Sequence, residues 1–256
     1  MKVVLAGASV AVAVGLGYLW RELAVRSAEL RRSSSRRNQL ALQLMTLRNR
    51  LMQTEESVTV GRAMKPRGSD VFVVTYPKCG TTWMMQICHA LRSNADMNFG
   101  EITEIAPWDI LAHDCGQDLN ADQPGAFRVF KSHEGFATVP KGARYIYVAR
   151  NPLDAFYSFY QFLPSYTGLE ADDIDQVAFC NAIFAGASHS GQIWHHILGW
   201  WEQRKSPDVL IVFFEDLLED LEGEVWRIAE FLEVPCSDDL LASVVRVSSF
   251  SFMADQ

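Results

Sequence analysis

The sequence predicts a single three-layer α/β domain: a central parallel sheet with helices on both faces. Three observations carry this. Four short apolar runs occupy 71–76, 128–130, 145–149 and 209–214, each run ends in a turn or a polar triplet, and a helical pattern follows the first, third and fourth. Strand, turn and helix repeated in that order build a parallel sheet. Its strands are buried on both sides and read as unbroken apolar runs. The ligands of such sheets sit beyond the carboxyl ends of the strands, so the chemistry is expected in the turns.

The amino-terminal part reads differently. Residues 3–20 carry no charge and are bracketed by Lys2 and Arg21. A span of about 17–25 apolar residues crosses a bilayer, so 1–22 is expected to be a membrane anchor. The Arg cluster that follows it (Arg21, Arg26, Arg31, Arg32, Arg36, Arg37) places the body on the cytosolic side. A cleaved signal peptide, a cytosolic protein and a Golgi-lumenal one are the rival readings. Residues 23–56 are expected to form a basic amphipathic juxtamembrane helix, with Leu40, Leu44, Leu47 and Leu51 on its apolar face. Gly61, Pro66 and Gly68 mark 57–69 as a linker to a domain over 70–256.

Composition narrows the function classes. With 49% hydrophobic residues, including 15 Phe, 7 Trp and 7 Tyr, the chain can build a core. Residues 1–70 hold 12 basic and 5 acidic side chains, and the remainder holds 11 and 26. So acidic a body does not suit a general nucleic-acid binder, which needs a basic face. Five cysteines without a Cys-x-x-Cys pair suit free thiols rather than a disulfide frame or a zinc site.

The first turn is the most informative. In Tyr76-Pro77-Lys78-Cys79-Gly80-Thr81-Thr82-Trp83 a strand feeds a tight glycine loop and then a helix predicted over 81–92. The unpaired N–H groups of a helix start hold an anion, with Lys78 adding a full charge and the threonines adding hydroxyls. This does the work of a phosphate loop without its usual lysine position. The second strand leads into Lys131-Ser132-His133, where the imidazole can take a proton and the lysine points to the same side. The third leads into Arg150-Asn151-Pro152 and a helix over 153–162 that carries Ser158. Arg150 can grip a phosphate with two N–H groups. The fourth leads into Glu215-Asp216 and a helix ending at Phe231.

Together these pieces resemble the cytosolic sulfotransferase family, which uses 3′-phosphoadenylyl sulfate (PAPS) as donor, from about Asp70 to the end. Residues 76–83 resemble its 5′-phosphosulfate loop, with Cys79 where a Ser is usual. Lys131-Ser132-His133 is similar to its Lys-Thr-His triplet, and Val148 to Asp154 with Ser158 to its 3′-phosphate segment. Gly191, Trp194, His196, Trp200 and Trp201 loosely follow its Gly-x-Trp-x-x-His-x-x-x-Trp-Trp stretch. Phe213 to Leu217 and Ser248-Ser249-Phe250 are similar to two further nucleotide-site segments.

The resemblance implies transfer of a sulfuryl group to a hydroxyl or amine of a small, apolar acceptor. His133 would be the base, with Lys78 and Lys131 neutralising charge. Lys78, Cys79, Gly80, Thr81, Thr82, Trp83, Arg150, Ser158, Phe214, Ser248 and Phe250 would hold PAPS. It implies no metal, and it makes a homodimer a candidate assembly. The acceptor pocket would draw on Trp108, Phe136, Phe159 and Phe162. Two departures stand out. Phe214 replaces a usual Tyr, and the chain stops at Gln256, before the family's Arg-Lys-Gly-x-x-Gly-Asp-Trp loop. The alternative expectation is therefore a membrane-tethered nucleotide-binding or interaction protein with impaired catalysis.

Overall fold

The computed structural model describes residues 34–170 and 173–254, together with 21 and 24–28. Four parallel strands, β1 (Val71–Thr75), β2 (Val129–Ser132), β3 (Arg144–Ala149) and β4 (Val209–Phe213), lie in the order β2-β1-β3-β4. The chain leaves β1 toward one neighbour and later returns on its other side. The turns after β1 and β3 therefore flank a crevice, which is where such sheets bind ligands. Val71 pairs with both Val129 and Arg144, so the three strand ends lie level. The start of the sheet is clamped by the buried Arg128–Asp70 pair, Nε to Oδ1 at 2.8 Å and Nη2 to Oδ2 at 2.6 Å.

Alternate residues of the strands face opposite layers, as the two-residue period of a strand requires. Val71, Val73, Val129, Ile146, Val148 and Val212 pack under α3 (Thr81–Ser93), α9 (Leu221–Phe231) and α10 (Asp238–Val247). Phe72, Val74, Phe130, Tyr145 and Tyr147 pack on the other face against Trp200 of α7 (Ile193–Trp201). A third cluster joins Tyr76 and Cys79 to α5 (Pro152–Tyr166), α6 (Gln176–Phe184) and a helix over 34–50, here α1.

The structure corrects two readings of the amino-terminal part. The face that α1 buries is Ala41, Met45 and Asn49, and Leu40, Leu44, Leu47 and Leu51 point to solvent. Small and flexible side chains let the helix come close to α5 and α6, whereas a leucine row would hold it away. Where a linker is expected, α2 (Glu55–Ala63) forms, and the Thr54 hydroxyl caps it by accepting from the Ser57 N–H. Gly61 is there for contact, since a Cβ on it would lie 2.3 Å from the Asp109 carbonyl oxygen.

The expectation of a single-pass membrane protein is also corrected. Among the described residues no helix is long and apolar enough to cross a membrane. The anchor itself, 1–22, falls almost wholly outside the described residues. The long described helix, α1, carries Arg36, Arg37, Arg48 and Arg50, and charges so spaced do not enter a hydrocarbon core.

Candidate active site

A cavity of about 740 Å³ opens beyond the strand ends, lined by Lys78, Gly80, Thr81, Thr82, Trp83, Lys131, His133, Arg150, Ser158, Phe214 and Phe250, among others. Strand ends that lie level bring these residues together although they are far apart in the chain.

At the β1–α3 turn Gly80 caps α3 with φ of 95°, and a Cβ there would meet the Phe214 ring at 2.7 Å. Only glycine allows both this backbone and this approach. Lys78 also has positive φ (68°), which carries its Nζ over the Phe162 ring, 4.1 Å from the centroid. Arg150 donates to the Lys78 carbonyl at 2.9 Å, and its guanidinium lies 4.2 Å above Phe214, while its Nε is buried without a partner. Among the described residues neither lysine nor Arg150 is ion-paired with a carboxylate. Burial, then the Arg150 charge, lowers the Lys78 pKa. Unpaired cations in a partly dry hollow, with a helix start between them, make an anion site.

His133 stands just past β2. Its Nδ1–H donates to the Thr75 carbonyl at 2.8 Å, which leaves Nε2 as the proton-free nitrogen. Thr75 Oγ1 lies 3.3 Å from the same Nδ1 and 2.6 Å from Thr81 Oγ1, joining the imidazole to the first turn of α3. Burial, then the Lys131 charge, holds His133 well below the usual histidine value, so it is neutral at neutral pH. Behind it, His196 and Trp200, one turn apart on α7, donate to the carbonyls of His133 and Glu134, each at 3.2 Å. His196 Nδ1 in turn accepts from Tyr147 at 3.0 Å. The loosely matched His and Trp of α7 therefore brace the carboxyl end of β2 from outside the cavity.

Lys131 is bracketed by a neighbouring segment. Its N–H donates to the Pro107 carbonyl at 2.9 Å, and its own carbonyl accepts from Asp109 N–H at 3.0 Å. The intervening Trp108 thus lies under Lys131 Nζ, 3.9 Å away, and edge-on to His133, with centroids 5.1 Å apart. Burial lowers Lys131 to about 8, against a raising influence from the Asp109 charge. Asp109, wholly buried, is itself pushed up to about 7 by burial.

Three sequence-named residues stand outside the cavity wall. Cys79 is 2% exposed and faces the third cluster, where burial pushes its thiol up to about 12. Ser248 is buried and accepts through its carbonyl from Trp83 Nε1 at 2.7 Å. Phe136 packs against Trp200 at 5.2 Å, whereas Trp108, Phe159 and Phe162 do line the cavity. Sequence reasoning missed Asn49, Met52, Thr75, Asp109 and His189. Thr75 had a readable signal, as the one hydroxyl in an apolar strand, while the others lie in segments without a motif. Among the described residues no group of three or more His, Cys, Asp or Glu could hold a metal ion.

This arrangement is that of an anion-binding site at the carboxyl ends of a parallel sheet, and comparison with known proteins gives the family. Residues 68–256 match the sulfotransferase domain family, and the chain belongs to that family. It is 32% identical over 215 residues to sulfotransferase 2B1 of Mus musculus, covering 79% of this chain and 61% of that one. It is 33% identical over 199 residues to an amine sulfotransferase of Oryctolagus cuniculus, covering 73% and 64%. The chain thus spans a little under two thirds of the length of these relatives. The fold is similar to mouse sulfotransferase SULT7A1 complexed with PAP, with TM-score 0.62 and 22% identity over 80% of this chain and 73% of that one. It is likewise similar to retinol dehydratase in complex with androsterone and inactive cofactor PAP, with TM-score 0.62 and 22% identity over 74% and 66%.

Proposed function

We propose that the chain transfers a sulfuryl group from PAPS to a hydroxyl or amine of a small acceptor. The observation that carries this is the convergence of Lys78, Lys131, Arg150 and His133 on one cavity wall, with the base nitrogen of His133 fixed by its bond to Thr75. In this reading the start of α3, with Gly80, Thr81 and Thr82, holds the 5′-phosphate. Arg150, whose Nε lacks a partner, holds the 3′-phosphate with Ser158. Trp83, Phe214 and Phe250 supply the aromatic surroundings of the adenine. His133 Nε2 takes the acceptor proton as the new bond to sulfur forms and the bond from sulfur to the 5′-phosphate oxygen breaks. Lys78 and Lys131 neutralise the charge that collects on the moving group and the departing phosphate. PAP-bound relatives support the choice of donor, and aromatic walls at Trp108, Phe159 and Phe162 support a small acceptor with an apolar body.

Calorimetric titration with adenosine 3′,5′-bisphosphate and with 5′-AMP tests the donor assignment. The bisphosphate is expected to bind more tightly, and Arg150→Ala to remove about ten- to hundredfold of that preference. Equal affinity for the two nucleotides in the unaltered protein would falsify the donor assignment.

A further inference from the structure

Two polar atoms in the wall near His133 lack partners. His189, between α6 and α7, lines the cavity with its ring 6.2 Å from that of Trp108, and its Nε2 is buried and unbonded. Trp108 Nε1 is likewise buried and unbonded, on a ring that touches both His133 and Lys131. Buried polar atoms are nearly always paired, and an orphan in a cavity wall is a place for a ligand atom. The anion-binding groups do not account for these two, because Trp108 packs against the base and His189 packs against Trp108. Burial lowers the His189 pKa, so its ring is neutral near neutral pH and carries one bare nitrogen.

We propose that Trp108 and His189 form a second recognition point for the acceptor, specific for a hydroxyl adjacent to the one that is sulfated. The inference rests on the transfer reading above and adds the substrate class to it. The indole N–H can only donate, and an imidazole nitrogen can accept or donate. With Nε2 as the bare nitrogen of His189, a hydroxyl accepts from Trp108 and donates to His189 and so serves the two atoms at once, whereas an ether or ketone oxygen serves only Trp108. Adjacency follows from distance: the Trp108 ring lies against the base itself, so a group reaching its edge lies close to the reacting oxygen. The chemical class is a compact vicinal dihydroxy compound with an apolar body.

Catechol and 2-methylphenol match in size and differ in the second hydroxyl, and in 2-methoxyphenol the second oxygen accepts but cannot donate. Calorimetry with the full chain saturated with adenosine 3′,5′-bisphosphate measures binding of each, and transfer from PAPS is assayed separately. Catechol is expected to bind about ten- to hundredfold more tightly than 2-methylphenol, with 2-methoxyphenol between them. His189→Leu, and Trp108→Phe, which keeps an aromatic face beneath Lys131, are each expected to collapse that ratio toward one. A ratio near one in the unaltered protein, no binding of either phenol, or an undiminished ratio in folded His189→Leu overturns the proposal. Discrimination without transfer would sink the transfer reading alone, and transfer without discrimination would sink this inference alone. If a variant fails to fold, the ratio in the unaltered protein still decides.

Discussion

The two halves of the cavity that the proposed function assigns to donor and acceptor are built by different means. The donor half is largely a product of strand ends: residues 78–83 are contiguous, Arg150 follows β3, and Phe214 follows β4. Its shape comes from main-chain geometry, a glycine with φ of 95° and a helix start. The acceptor half is assembled from side chains of remote segments, with Asn49 from α1, Trp108 from the loop before β2 and His189 from the α6–α7 connection. Main-chain devices recur in any sequence that forms the same turn and are therefore readable locally. Side-chain walls can be exchanged one at a time, which suits the half that must distinguish acceptors.

The two halves can be separated experimentally. His133→Ala should act on the acceptor side alone: kcat falls about a thousandfold while adenosine 3′,5′-bisphosphate binding stays within about threefold, because the imidazole serves proton transfer. A parallel loss of nucleotide affinity in calorimetry would break the division. Gly80→Ala should do the reverse. Its Cβ is forced against Phe214 at 2.7 Å, so nucleotide affinity drops about ten- to hundredfold and the turn is strained by about 1–3 kcal/mol. Unchanged affinity and thermal stability would show that the turn yields without cost.

The smallest effect concerns the link between the halves. Lys131 loses its proton near pH 8, so kcat/KM for PAPS should fall as pH rises through that value. Asp109, which titrates near 7, is charged at that pH and favours protonated Lys131. Asp109→Asn should therefore move the alkaline limb to lower pH, by about one unit. A limb that stays in place, or moves upward, would remove Asp109 from the account.

Local legibility explains which readings carried through. The four strands and the helices behind β1, β3 and β4 announce themselves by apolar runs and turn residues, although the helix behind β3 runs on to Tyr166 and the one expected behind β4 is two, parted at Asp220. The row Leu40, Leu44, Leu47 and Leu51 has a clear period, yet periodicity cannot say which face docks. Docking was decided by what α5 and α6 leave room for, and Met45, wholly buried, fits there. Gly61 read as flexibility because its reason, the Asp109 carbonyl across the chain, is not local.

By itself the sequence determined the alternation of strand and helix, the glycine turn at Lys78 to Thr82, and the placement of Lys131, His133 and Arg150 at the strand ends. These depend on neighbours within a few residues, and backbone sterics and side-chain type suffice to specify them. Only the tertiary structure decided that Thr75 sets the tautomer of His133, that His196 and Trp200 brace its backbone, and that Trp108 lies beneath Lys131. Those relations follow from strand order and register, which bring distant residues within a few ångströms and cannot be read from any stretch of chain alone.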